Sequence, residues 1–163
     1  MSFTDSRSRF HRFAVTSILT LNTFVFLNAP TSLKSEEIRD CTTSIAAAQT
    51  QIETGREVEV MVRVQNLAEL YPDHPENRPM SYLFILKGGS NRAIMRSPQF
   101  HKSIARSIIQ NCSSVSAVIF GAWGTGWQES TGLFPDGRIE EFECLEYLGP
   151  GRKLTWGQEY CSL

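Results

Sequence analysis

Three segments of this chain carry residue types whose spacing could support recognition or chemistry. In FGAWGTGW, Trp123 and Trp127 bracket Thr125. Alternate residues of an extended strand share a face, which predicts two indoles on one side, about 7 Å apart per two-residue step. The glycines at 121, 124 and 126 leave those rings uncrowded. Such a platform stacks on sugar rings or clamps an apolar peptide, because an indole joins a large apolar face to a polar N–H. The competing reading has the indoles covering the outer sheet face or packing under the C-terminal tail around Trp156. The second segment holds Arg92 and Arg96, just before a helix start signalled by Ser97 and Pro98. Guanidinium groups beside helix N-terminal amides favour an anion: a phosphate, an acidic polysaccharide or an anionic membrane surface. The third is the loop YPDHPENRP, in which Asp73, His74 and Glu76 are potential metal ligands and His74 a potential general base. A solvated connector explains the same loop.

The familiar catalytic constellations are missing from the sequence: it contains no GxSxG, HExxH or GxxxxGK[ST]. The glycines at 121, 124 and 126 lead into Trp127-Gln128-Glu129 and a further strand, which argues against a phosphate cradle opening a helix. Glu140, Glu141, Glu143 and Glu146 read as a solvated strand face, with a glycosidase-like carboxylate pair as the sharper alternative. His101 is placed on the exposed side of its helix. No pair of cysteines has CxxC spacing, and His74 and His101 are isolated, so neither a metal nor a cofactor is expected.

Charge is distributed in blocks. The 163 residues carry a formal net charge of −1. From Asn77 to Gln128, however, there are six basic and no acidic residues, between flanks of −5 (33–76) and −4 (129–163). The basic middle either binds an anion or complements the acidic flanks within the fold. Nucleic acid is a poor partner for a chain of this balance.

The first 32 residues read as a secretory signal peptide. Arg7, Arg9, His11 and Arg12 precede an uncharged run, FAVTSILTLNTFVFL, and a small-residue exit around Ala29. The run is shorter than the ~20 residues of a membrane span and carries several hydroxyl side chains. No stable span is therefore expected after cleavage, and an uncleaved signal anchor is the alternative. Residues 33–163 then form one domain, large enough to bury roughly two-thirds of its chain surface. Cys41, Cys112, Cys144 and Cys161 all lie in it, and an even number in an exported chain points to disulfides.

The elements follow from periodicity. Ile38, Cys41, Ile45, Ala48 and Ile52 recur at helical spacing, predicting a helix from a Ser35 cap to the Gly55 stop. Val58, Val60, Val62 and Val64 then alternate with Glu57, Glu59, Met61 and Arg63, as in a strand with one buried face. YLFIL (82–86) is apolar on both faces and reads as a central strand ended by Gly88-Gly89. A second helix runs from Pro98 to Asn111, burying Phe100, Ile104, Ala105, Ile108, Ile109 and Cys112. A strand from Val115 continues through GAWGTGW, and Pro135-Asp136-Gly137 turns between Thr131–Leu133 and Ile139–Leu145. The order α-β-β-α-β-β predicts an α+β fold: a mostly antiparallel sheet with two helices packed on one face, stabilised by disulfides. Side-by-side helices would make Cys41–Cys112 natural and leave Cys144–Cys161 to tether the tail; Cys112–Cys144 stays open.

The stretches YPDHPENRP, MSYLFILKG, SPQFHKSIARSIIQNCSSV, FGAWGTGW, GLFPDGRIEEFEC and LTWGQEYC together resemble a family of small exported cyanobacterial proteins of uncharacterised function. The resemblance implies a periplasmic or extracellular location and transfers no catalytic residue. The expectation is a small exported, disulfide-stabilised binding or structural module with an anionic or carbohydrate ligand near Trp123, Trp127, Arg92 and Arg96. The alternative is a small hydrolase or metal-dependent enzyme using His74 and nearby carboxylates.

Overall fold

The computed structural model of the chain describes residues 31–146, 149 and 153–161. Nearly all of residues 1–32, the segment read as a signal peptide, lies outside them. The elements run α1 (Thr31–Glu53), β1 (Glu59–Asn66), β2 (Met80–Lys87), α2 (Asn91–Met95), α3 (Pro98–Asn111), β3 (Val115–Ala122), β4 (Gln128–Leu133), β5 (Ile139–Glu141), β6 (Glu143–Leu145) and β7 (Gln158–Tyr160). A five-stranded sheet has the spatial order β1-β2-β3-β4-β5, and β6 pairs with β7 in a separate ribbon. Within the large sheet only β2 and β3 are parallel. Parallel neighbours cannot be joined by a tight turn, and the chain uses α2 and α3 as the crossover. No described helix is long and apolar enough to cross a membrane.

This is the α+β arrangement expected from the sequence. α1 and α3 lie together on one face of the sheet, and Cys41–Cys112 joins them with a Cα–Cα distance of 4.7 Å. Their apolar stripes meet Val60, Phe84, Leu86, Val118 and Phe120 in one core. The opposite face carries a second core of Leu67, Tyr71, Leu83, Ala117, Ile119, Phe142 and Leu154. Leu83 and Phe84 are thus buried on opposite sides, as a strand apolar on both faces requires.

Several local expectations change. α1 begins at Thr31, so Ser35 lies inside the helix rather than capping it, while Gly55 at φ 70° ends it as anticipated. Val64 is 57% exposed, although Val60 on the same stripe is buried. β1 is an edge strand, so the same alternation receives cover from fewer neighbours. Between Gly89 and Ser97 the chain forms the short α2, which buries Ile94 and Met95.

The segment Ile139–Leu145 is not one strand. It breaks at Phe142, whose N–H still donates to the Ser130 carbonyl, and β6 then leaves to pair with β7 in parallel. Cys144–Cys161 locks that ribbon, with Cα atoms 4.8 Å apart. The break comes from side-chain packing: the Phe142 ring sits edge-on to Tyr71, Phe134 and Trp156 at centroid distances of 5.7, 6.1 and 5.0 Å. Gly132 makes room for this cluster, since a Cβ there would lie 2.5 Å from Phe142 and 3.0 Å from Trp156. Overpacking of this kind costs about 2 kcal/mol. Gly132→Ala is therefore expected to lower stability by about that amount in chemical denaturation, whereas Gly126→Ala, with nothing within 4 Å of the added Cβ, should change it little.

Candidate ligand-binding groove

The helix-free face of the sheet is only partly covered. Strand register lays two rows of side chains across it: Arg63, Leu83, Ile119 and Ser130, then Met61, Ile85, Gly121 and Gln128. The Tyr71 loop and the C-terminal segment cover one end of this face. Beyond them two hollows of about 570 and 350 Å3 adjoin through shared walls at Gln65 and Gln128. Leu70, Tyr71, Glu159 and Tyr160 line the larger, and Arg63, Leu83, Trp123 and Trp127 the smaller. Leu70, Trp123 and Tyr160, exposed at 49%, 50% and 58%, stand around this groove. Its floor mixes aliphatic side chains with the amides of Gln65 and Gln128.

Glu159 on β7 is 8% exposed and lies within the larger hollow. Its Oε1 accepts the Ser130 N–H at 3.2 Å, on the side of β4 where β5 has ended. Burial pushes its pKa up to about 7, against the opposing Ser130 hydrogen bonds and with help from the charges of Glu129 and Glu141. Tyr71 closes the hollow, its hydroxyl donating to the Gln158 carbonyl at 2.7 Å. Burial, joined by the charges of Glu159 and Asp73, raises that phenol to about 12. Among the described residues lining the two hollows, Glu159 is the one carboxylic acid.

The two tryptophans do not share a strand face. β3 stops at Ala122, and residues 123–127 form a hairpin turn in which Thr125 N–H donates to the Ala122 carbonyl and Trp127 N–H to the Thr125 hydroxyl. Gly124 at φ 72° supplies the left-handed residue that such a turn needs. Trp123 is left open at the end of the groove. Trp127 packs against the helix-side core, with its Nε1 donating to Glu129 at 2.6 Å. Arg92 and Arg96 are exposed on and just after α2, on the helix side of the sheet. The structure therefore does not unite them with Trp123 in one surface.

The basic middle of the chain is partly neutralised internally. The Arg78 guanidinium donates to the carbonyls of Ile109, Cys112 and Val115 at 3.0, 3.2 and 2.8 Å, clamping the end of α3. Lys87 pairs with Glu59 at 3.6 Å and Lys102 with Glu140. Glu140 is thus not simply part of a solvated face. In the proline loop, both carboxylate oxygens of Asp73 accept the Trp156 N–H at 3.0 and 2.9 Å, and His74 Nδ1 lies 2.8 Å from the Pro75 carbonyl. Asp73 therefore fastens the C-terminal segment. Among the described residues no three His, Cys, Asp or Glu side chains gather as a metal site.

His101 is not on the exposed side of its helix: it is 1% exposed and stacked on Phe120 at 4.1 Å. Its Nδ1 lies 3.7 Å from Glu141, and neither ring nitrogen has a hydrogen-bond partner among the described residues. Burial pulls its pKa down to about 4, against a weaker opposite pull from the Ile94 backbone. Glu159 escaped sequence reasoning because its strand is three residues long and its partner Ser130 is 29 positions away. The aromatic and cysteine neighbours Trp156, Tyr160 and Cys161 were the available sign that this tail packs.

The two buried groups give opposite pH dependences. The raised Glu159 contributes stability that is full below its unfolded value of 4.5 and is lost as pH rises through about 7. The depressed His101 stays neutral in the fold, so the stability tied to it falls as pH drops from 6.5 to about 4. In thermal unfolding across this range, Glu159→Gln should gain on wild type as pH rises, and His101→Phe should gain as pH falls.

No family profile, curated protein or solved structure matches this chain.

Proposed function

We propose that this protein is an exported binding module that holds a neutral oligosaccharide in the groove on the helix-free face of its sheet. The observation that carries the reading is the pair of exposed aromatic rings, Trp123 and Tyr160, standing over a floor that includes the Gln65 and Gln128 side chains. Sugar rings present C–H faces that stack on aromatics and hydroxyl edges that pair with amides. An apolar peptide would call for a continuous apolar wall, and Arg63, Gln65, Gln128 and Ser130 interrupt it. Two disulfides that use all four cysteines support folding in an oxidising compartment. The uncharged run 13–27 after a basic stretch supports export, as does the resemblance to small exported cyanobacterial proteins.

Chitotetraose and cellotetraose, titrated calorimetrically into the oxidised protein with an extended neutral peptide as comparator, test the ligand class. We expect saturable binding of a tetrasaccharide, weakened at least about tenfold by Trp123→Ala, since a stacked ring contributes on the order of 1 kcal/mol beyond its buried area. The Arg92→Ala/Arg96→Ala double variant should bind as wild type does. Peptide binding without sugar binding, or indifference to Trp123→Ala, would refute the proposal. For location, mass spectrometry of the native periplasmic fraction should find a mature N-terminus near Ser32; an intact Met1 on cytosolic protein would overturn export.

A further inference from the structure

Resting on that groove reading, we propose that Glu159 is its specificity-determining group: protonated, its carboxyl donates a hydrogen bond to an uncharged oxygen of the sugar, and the groove thereby selects neutral over acidic saccharides. The geometry begins with position. Glu159 lies in the larger hollow, next in sequence to Tyr160, whose ring stands exposed at the same hollow. One oxygen, Oε1, is engaged as an acceptor by the Ser130 N–H, and the Ser130 hydroxyl also hydrogen-bonds the carboxylate. A neutral carboxyl keeps that acceptor and carries its proton on the other oxygen, which suits a carbonyl or hydroxyl acceptor on a ligand.

The surroundings oppose a negative charge here. Glu129 on β4 and Glu141 on β5 act on Glu159 as like charges, while the Tyr71 phenol, from the loop after β1, stays neutral beside it. The Ser130 hydrogen bonds pull the other way and are outweighed by burial, which leaves a carboxyl titrating near neutrality. Arg63 lines the smaller hollow, beyond Gln65 and Gln128, which line both. An ionised Glu159 would lose its donor and repel a uronate carboxylate. A neutral Glu159 would receive an acetamido carbonyl or a hydroxyl oxygen without burying charge.

The test is calorimetric titration of chitotetraose into the oxidised full domain from pH 5.5 to 8.5, with tetragalacturonate as the acidic probe and thermal unfolding recorded at each pH. If only the protonated form binds, affinity at pH 8 is about tenfold lower than at pH 6. Glu159→Gln keeps a carbonyl for Ser130 and supplies a permanent N–H donor. It should bind chitotetraose with a flat profile, within about twofold of wild type at pH 6. Tetragalacturonate should bind at least about tenfold more weakly than chitotetraose at pH 8. A flat wild-type profile, tighter binding as pH rises, or a Gln variant that keeps the wild-type slope would overturn the role of Glu159 while leaving the groove reading intact. Absence of neutral-saccharide binding at every pH would overturn both. Should the Gln variant fail to fold, the wild-type profile decides by itself.

Discussion

Every residue of β3 is buried, and this burial on both faces is the constraint from which the rest of the architecture follows. A strand in that position needs a cover above and a cover below. The upper cover is conventional: α1 and α3 present apolar stripes and Cys41–Cys112 holds them side by side. Among the described residues no helix lies on the lower face. The chain uses a proline-rich loop, a few aromatic side chains and a ribbon of two three-residue strands. Strands this short are marginal by themselves, so side-chain ties hold the layer. Asp73 grips the Trp156 amide, Tyr71 the Gln158 carbonyl and Glu159 the Ser130 amide, while Cys144–Cys161 closes the ribbon. The lower layer is too small to span the sheet. The groove is the part of the face it leaves uncovered.

The two covers also differ in how they treat buried ionisable groups. On the helix side His101 is sealed against Phe120 and kept neutral by burial. On the other side Glu159 is buried but borders a hollow that solvent or a ligand can enter. Burial penalises charge in both places, favouring the deprotonated imidazole and the protonated carboxyl. Of the two groups, only the carboxyl borders a hollow.

The elements legible in the sequence were those whose signals are local. Ser97-Pro98 marked the start of α3, YLFIL marked a strand buried on both faces, and three prolines marked the loop before it. Placing two helices on one face made Cys41–Cys112 natural but left Cys112–Cys144 open, and the structure pairs Cys41 with Cys112 and Cys144 with Cys161. What escaped depended on contacts distant in sequence or on residues that permit two outcomes. The glycines around Trp123 and Trp127 allow a strand or a turn, and only the pairing of β3 with β4 selects the turn. His101 was read on the exposed side of its helix because it is polar, although its spacing from Ile104, Ala105 and Ile108 is that of the buried stripe. Packing against Phe120 decided in favour of periodicity. Glu159 gave no local signal, because the β6/β7 ribbon exists only once the sheet is there to receive it.

Both edges of the sheet are protected, so its open part is a face. An edge strand offers unpaired amides and carbonyls to any passing strand, and folded proteins blunt such edges. Here α1 reaches over β1: the Gln49 side-chain amide donates to the Val60 carbonyl and Glu53 accepts the Val60 N–H at 2.9 Å. At the opposite edge β5 is three residues long, and its Glu140 is tied back to Lys102 on α3. The helix-side face is filled by the core. The partly covered face, with polar side chains set between aliphatic ones, can admit a ligand without exposing an aggregation-prone edge. The same shortage of covering chain that forced side-chain ties on the lower layer therefore leaves a shaped, partly polar surface beside the carboxyl of Glu159.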